Sequence, residues 1–580
     1  MKYKKRRTDQ KTVRNKRNGG LMEKRYAIGL DYGTLSARAV LVDLSTGEVI
    51  LSSVYGYQDA VIDEILPDSD VRLPSDYALQ NPRDYRDATV ALLKDIYQGS
   101  GVPAENIISI GIDFTACTVV AVDENICPLC MLDAFAGNPH SWVKLWKHHG
   151  AQKEADIINN TAIARNERFI KRYGNTSSSE WMFAKILETY HKAPEVYRAT
   201  YKFMEAGNWV VWLLTGNLTS STCMAGYKSF WSEEEGYPSN EFFEAVSPGF
   251  ADVTGKLIDN VCTVGTRAGG LTKTMADLTG LKAGTSVAVS MIDAHSAVPA
   301  TNSGGGESLL MSMGTSICHI LLSKKEILMD GICGVVKDGV FPGYYGYEAG
   351  QAAVGDIYDW FISYFAAGEF FEQAETRNLS PFQIMDEKAG QLAVGESGLM
   401  ALDWWNGNRS MLNNANLSGL LVGMTLNTRQ EDVYRALIES TAFGTRNIIE
   451  SMQAQGVNPE KIYACGGLSR KSKLVMQIFA DVLGREITVT SIEQATAYGA
   501  AIYGMVAAGR ERGGFDTFEE ASRTLCSSSS RVYVPNMANH AIYTELFRQY
   551  QLLTDLFGKE RKDVMLSLKR IRNQTETKDA

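Results

Sequence analysis

Apolar residues in this chain follow two patterns. Some form short runs ending in glycine-bearing turns, and others recur at helical spacing. Residues 27–50, AIGLDYGTLSARAVLVDLSTGEVI, predict an apolar strand with Asp31, a Gly33-Thr34 turn and a second strand carrying Arg38. A turn at 45–48 then leads to a third strand. The device recurs at mid-chain, where strands 309–313 and 317–322 flank Gly314-Thr315. Just before it, a β-rich run over 285–291 leads to Asp293 and His295, and a glycine-rich turn covers 304–306. Small residues at such tips let backbone N–H groups approach an anion closely.

The intervening pattern predicts a helix over 82–98 and a buried strand over 107–114. That strand ends in Thr115-Ala116-Cys117-Thr118, the kind of edge that faces a ligand crevice. Residues 135–149 are aromatic and basic, with apolar positions at helical spacing. Ser177 and Glu180 form a capping box opening a helix, and a tryptophan-rich helix over 206–215 stops at Gly216. Lys228 lies among aromatics, where it either snorkels past a core or reaches a ligand. Residues 346–361 predict a small-residue loop with Glu348 and Gln351, running into a helix with Ile357, Trp360 and Phe361 on its apolar face. A polar insert at 402–419 is expected near the cleft, and a long helix over 431–455 stops at Gly456. Strand, Gly466-Gly467 turn and helix follow over 462–484, an arrangement suited to seating an anion or nucleotide. An Ala/Gly-rich helix at 495–508 can pack closely against a neighbour, and residues 540–569 predict surface helices.

A chain of 580 residues implies two large domains. The composition, 45% hydrophobic and 22% charged, is that of a globular protein, and no apolar run reaches the roughly 18 residues a membrane span needs. Nine scattered cysteines fit a reducing cytoplasm better than a disulfide framework. Cys127 and Cys130 have no second pair to complete a zinc site, so they are read as turn and core residues. Residues 1–20 carry net +8 and the remainder −17. This pattern predicts a disordered basic extension over 1–24 on an acidic body, and argues against nucleic acid as the main partner.

The three glycine-centred turns with Asp31 and Asp293 form an ATP-handling constellation. Neither Gly-Lys pair is followed by Ser or Thr, so the usual phosphate loop is absent, as are the protein-kinase motifs. Hairpin phosphate loops in both halves point to the actin-like class. DYGTLSAR (31–38), DAH (293–295), MGTS (313–316) and GGLSRKS (466–472) resemble, in order, the motifs of the FGGY carbohydrate kinases, over nearly all of 25–555. The blocks GIDFTACT, FAGNPHSWVKLWKHH, SSSEWMFAKIL, AGYKSFW, GICGVV, GYEAGQAAVGDIYDWF and LDWWNGNRS resemble the branch of that family that phosphorylates L-ribulose.

The resemblance implies an α/β chain of two actin-like (ribonuclease-H-like) domains, 25–296 and 297–555, with an interdomain cleft and a polar tail over 556–580. It implies Asp293 as general base, Asp31 as holder of Mg2+, and Ala116, Lys228, Asp293 and Glu348 around the sugar. Gly33, Thr34, Arg38, Gly314 and Thr315 would line the ATP phosphates, and Gly466, Gly467 and Arg470 the adenosine. His295 is expected to orient Asp293, and Ser472 stands where many members have Asn. The expected reaction is ATP-dependent formation of L-ribulose 5-phosphate in the cytoplasm, a step of L-arabinose breakdown. D-Ribulose, ribitol or xylulose are alternative substrates on the same machinery. A non-catalytic sugar sensor is disfavoured because Asp293 is present. Neither nucleic acid nor membrane is expected as partner, and a homodimer is left open.

Overall fold

The computed structural model describes residues 24–301, 306–526 and 530–576. The basic extension up to residue 23, and Gly304 and Gly305 of the expected glycine-rich turn, lie outside the described residues.

Two seven-stranded sheets form the frame. The first contains β1 (Tyr26–Tyr32), β2 (Ser36–Asp43), β3 (Val49–Gly56), β4 (Ile107–Phe114), β5 (Arg267–Gly270), β6 (Ser286–Ala288) and β7 (Met291–Ile292). Their spatial order is β5-β6-β4-β1-β2-β3, with β7 also pairing β4. The second contains β8 (Ser308–Met313), β9 (Ile317–Ser323), β10 (Gly334–Lys337), β11 (Tyr345–Gln351), β12 (Lys461–Cys465), β13 (Ile487–Val489) and β14 (Arg531–Tyr533), in the order β10-β11-β9-β8-β12-β13-β14. In each, an antiparallel hairpin (β1–β2, β8–β9) is extended on one side by a third antiparallel strand. On the other side it meets a parallel strand, β4 or β12. The two halves thus repeat one plan. The innermost strand of the first sheet, β1, is buried along its whole length, as expected where both faces are covered.

Three helices position the residues of the cleft: α1 (Met182–Lys192), α2 (Asp293–Ala300) and α3 (Ala495–Ala508). The Ala/Gly-rich α3 packs against β1, β4 and α2. A methyl group on Gly29 would run into the Ala497 carbonyl, one on Gly111 into the Ala500 carbonyl, and one on Gly499 into the Ser296 carbonyl. Glycine is required because backbone meets backbone there. A separate apolar core between residues 117 and 257, including Phe183, Phe230, Phe243 and Phe250, forms a subdomain on the first half.

Several expected elements differ. Residues 135–149 form a 3-10 turn at Pro139–Ser141 and a short strand at Val143–Lys144 rather than a helix, since Pro139 disfavours helical backbone at Asn138. Ser177 does not cap α1. Its N–H is taken by Asn159 Oδ1 at 2.6 Å, and the helix begins five residues later, with Trp181 at the cap position. The expected loop at 346–351 is strand β11. Its small residues mark close approach, because a methyl on Gly346 would strike the Tyr227 hydroxyl. Trp360 is 36% exposed, and the helix Gly355–Phe365 instead buries Ile357, Tyr358, Phe361 and Ile362. The helix after Gly466 breaks at Ser472, whose side chain accepts the Val475 N–H and caps a new helix, Lys473–Leu483.

Gly111→Ala is expected to lose at least the top of the about 1–3 kcal/mol range of core overpacking, because the obstacle is backbone. A urea-unfolding midpoint matching the parent's would show that α3 can move aside.

Candidate active site

Strand ends and helix starts of both halves meet around Asp31, Asp293 and Glu348. Asp31, near the end of β1, faces Arg38 across the hairpin, with Nη1 3.2 Å from Oδ2. Thr496, in the first turn of α3, donates its hydroxyl to the same carboxylate at 2.9 Å. On the other side of β1, Asp31 is in register with Asp113 of β4. Asp113 is fully buried and both its carboxyl oxygens lack a partner, while burial, then Asp31 and Asp293, push its carboxyl well above the usual range. Neither Asp113 nor Thr496 was expected. An acid ending an otherwise apolar strand, GIDF, was the available signal for the first.

Asp293 opens α2 directly after β7, where its side chain accepts the Ala294 N–H at 2.7 Å. Enclosure, and then the charge on Asp31, raise its carboxyl to about 7. His295 does not orient it. Its Nε2 lies 3.5 Å from Glu348 Oε2, and its ring rests 4.2 Å from that of Tyr227. Burial lowers its imidazole to about 4, so it is neutral.

Lys228 ends the short helix Thr222–Lys228 and donates to Glu348 Oε1 of β11 at 2.7 Å. The pair is nearly enclosed, 8% and 10% exposed. Burial is the largest influence and opposes both charges, but the pairing together with other neighbours outweighs it, so the ammonium titrates above and the carboxylate below its ordinary value. Trp181 lies 5.2 Å from Lys228 Nζ, so the lysine is both paired and stacked. Half-buried Ala116 follows β4 and precedes Cys117, whose φ of +54° is held by Lys185 Nζ on its carbonyl at 2.7 Å. Arg409, from the 402–419 insert, reaches to 3.9 Å from Glu180, so that insert borders the cleft.

The hairpin tips differ in their surroundings. Gly33 closes its turn on Ser36 O (3.0 Å), and Thr34 is gripped from outside by Trp146 and Gln80. Gly314 and Thr315 are exposed; the Gly314 carbonyl accepts the Gly355 N–H and the Thr315 carbonyl the Val354 N–H. Gly466, at φ +97°, abuts Met313 of the second hairpin, so a side chain there would collide with backbone. Arg470 pairs with Glu493 at 3.5 Å, and Ser472 donates to Asp386 at 2.6 Å. Among the described residues no three metal-ligating side chains converge to cage an ion unaided. The carboxylates of Asp31 and Asp113 nonetheless fit a hard divalent cation, which takes one or two carboxylates and completes its shell with water and phosphates.

Two sheets that repeat one hairpin plan are the frame of the actin-like ATPase fold. Residues 26–299 and 309–508 match the N-terminal and C-terminal domains of the FGGY family of carbohydrate kinases, and the chain belongs to that family. Kinases of this family take their phosphoryl group from ATP. The chain is 48% identical over 553 residues to the ribulokinase of Halalkalibacterium halodurans, covering 95% of this chain and 98% of that one. It is 49% identical over 549 residues to the ribulokinase of Geobacillus thermodenitrificans, covering 94% and 97%. Among solved structures, xylulose kinase from Rhodospirillum rubrum superposes with a TM-score of 0.75 at 21% identity, over 92% of this chain and 99% of that one. Gluconate kinase from Lactobacillus acidophilus gives 0.76 at 19%, over 93% and 99%. Among the described residues no helix is long and apolar enough to cross a membrane.

Lys228→Met, which strands Glu348 without its cation, is expected to cost about 3–5 kcal/mol. Glu348→Gln added to it should restore part of that loss, read from urea unfolding of the parent and both variants. Asp293 predicts a pH effect of defined sign. Its folded-state carboxyl titrates above the unfolded one, so the cation-free protein loses stability as pH rises from about 4 to about 7. Asp293→Asn should therefore gain stability relative to the parent across that window, and parallel pH curves would contradict the assignment.

Proposed function

We propose that this protein transfers the γ-phosphoryl group of ATP to the terminal hydroxyl of L-ribulose, giving L-ribulose 5-phosphate and ADP. The observation that carries the reading is the enclosed Lys228–Glu348 pair beside Asp293, a donor and an acceptor set for sugar hydroxyls next to a base. The near-full-length likeness to proteins named ribulokinase supports the choice of sugar.

Asp293 accepts the proton of the attacking hydroxyl. A carboxylate whose pKa is raised toward neutrality is a stronger base and is still substantially ionised at neutral pH. Lys228, Glu348 and the backbone at Ala116 orient the sugar, and an analogue lacking the matching hydroxyl would leave a buried charge without its partner. Gly33, Thr34 and Arg38 from one hairpin, with Gly314 and Thr315 from the other, contact the phosphates through backbone and hydroxyl groups. Gly466, Gly467 and Arg470 lie along the adenosine. Asp31, with Asp113 behind it, would hold Mg2+, which neutralises phosphate charge when bound. On this reading the domains divide at 296/297, within α2, and cleft closure keeps water from competing for the phosphoryl group. Nine free cysteines suit work in a reducing cytoplasm.

ADP release should be measured with ATP-Mg and L-ribulose, D-ribulose, L-xylulose, D-xylulose, ribitol or glycerol. L-Ribulose is expected to give the highest kcat/KM, and Asp293→Asn to lose at least ~10²-fold in kcat. A different preferred sugar would overturn the substrate assignment but leave the chemistry, whereas no stimulation by any sugar would overturn both.

A further inference from the structure

The tip of the first hairpin is held by residues that belong to neither of its strands. Trp146 Nε1 donates to the Thr34 hydroxyl at 3.0 Å, and Gln80 Nε2 to the Thr34 carbonyl at 2.7 Å. Gln80 is itself fixed, its Oε1 accepting the Tyr85 hydroxyl at 2.5 Å. An indole N–H can only donate. Thr34 Oγ1 therefore accepts from Trp146, and its own proton must point elsewhere.

The residues flanking Trp146 are anchored in the interior. Lys144 Nζ donates to Glu188 Oε2 at 2.7 Å and to Thr189 Oγ1 at 2.8 Å. The Leu145 carbonyl accepts Lys185 Nζ at 2.7 Å, and His148 Nε2 lies 2.9 Å from the same Glu188 oxygen. The Lys144, His148 and Glu188 side chains are at most 4% exposed. Lys185, Glu188 and Thr189 all belong to α1, and α1 begins beside Trp181, the ring against Lys228. One helix thus touches the sugar-side lysine at its start and fixes the Trp146 segment along its length.

We propose that Trp146 is a positioning residue for phosphoryl transfer. By occupying a lone pair of the Thr34 hydroxyl it turns that hydroxyl's proton toward the transferring phosphoryl group, and α1 ties this alignment to the sugar pocket. The inference rests on the reading that Thr34 contacts the ATP phosphates. Trp146→Phe keeps a ring and removes the N–H, and Thr34→Val keeps the shape of the threonine and removes the hydroxyl. Each is expected to lower kcat about tenfold, the worth of one well-made hydrogen bond, with KM for the sugar within about twofold. In the double variant the second change should add nothing, because both remove one interaction. In a Thr34→Ser background, which keeps the hydroxyl, Trp146→Phe should retain its full effect.

Additive losses, or an effect of Trp146→Phe confined to KM for the sugar, would overturn the proposal and leave Trp146 as a wall of the pocket. Should Trp146→Phe fail to fold, Thr34→Val against Thr34→Ser decides, since equal losses in kcat would sink it. Turnover by the parent separates this test from that of the function, and the cycle is run with whichever sugar the parent prefers. An activity-independent readout is the Trp146 indole N–H resonance in a 15N-tryptophan spectrum. It should shift on Thr34→Val and return toward the parent position on Thr34→Ser, and a resonance indifferent to both counts against the bond.

Discussion

Backbone-to-backbone contact between α3 and the first sheet is the constraint that sets the site. Because Gly29 and Gly111 carry no side chain, a helix from near residue 500 lies directly on strands from near residues 30 and 110, and Gly499 lets α2 approach the same helix. That contact delivers Thr496 to Asp31. It also fixes α2, whose Ser296 donates its hydroxyl to the Thr496 carbonyl at 2.8 Å, and α2 begins with Asp293. The acids of the cleft thus owe their mutual arrangement to one tight seam, with the glycines as the means of approach.

The electrostatics of the cleft divide along the same line. Around Asp31, burial and then the charge of Asp31 itself push the carboxyls of Asp113 and Asp293 up, while Arg38 lies 3.2 Å from Asp31. At Lys228 and Glu348 the charges are already compensated, one against the other. Further ties join the halves: Arg172 to Glu326 at 3.1 Å, Asn175 to Asp330 at 2.6 Å and Lys337 to Glu233 at 2.9 Å. The more exposed of these contribute little singly. The enclosed pair is different in kind, because loss of either member leaves an uncompensated buried charge.

The sequence declares its local regularities well. The hairpins around Gly33-Thr34 and Gly314-Thr315, the strand ending at Phe114 and the helix beginning at Ala495 coincide with apolar runs and breakers that act over a few residues. What it conceals is set by distant neighbours. Strand β11 is rich in small residues because Tyr227 presses on it, and alone it looks like a loop. Residues 135–149 have helical spacing, yet Pro139 and the buried Glu188 network take them out of a helix. Lys228 was legible as a residue with two fates, but its partner sits 120 positions away. His295 stands beside Asp293 in sequence and faces Glu348 in space. Thr496 and Asp31 are 465 positions apart, and no local pattern could join them.

That separation bears on the order in which the molecule is made. A ribosome releases Asp31 early, but the helix that packs on β1 and β4 begins only at Ala495, long after both strands. Until α3 emerges, the first sheet presents uncovered apolar strands, and its glycines, so useful for close packing, offer nothing to hold them. Non-local contacts of this kind are late and slow to form, and their absence leaves sticky surface. A chain cut short before residue 495 would therefore be more than a kinase lacking one helix: it would be an open sheet seeking a partner, held by chaperones before it could bind ATP.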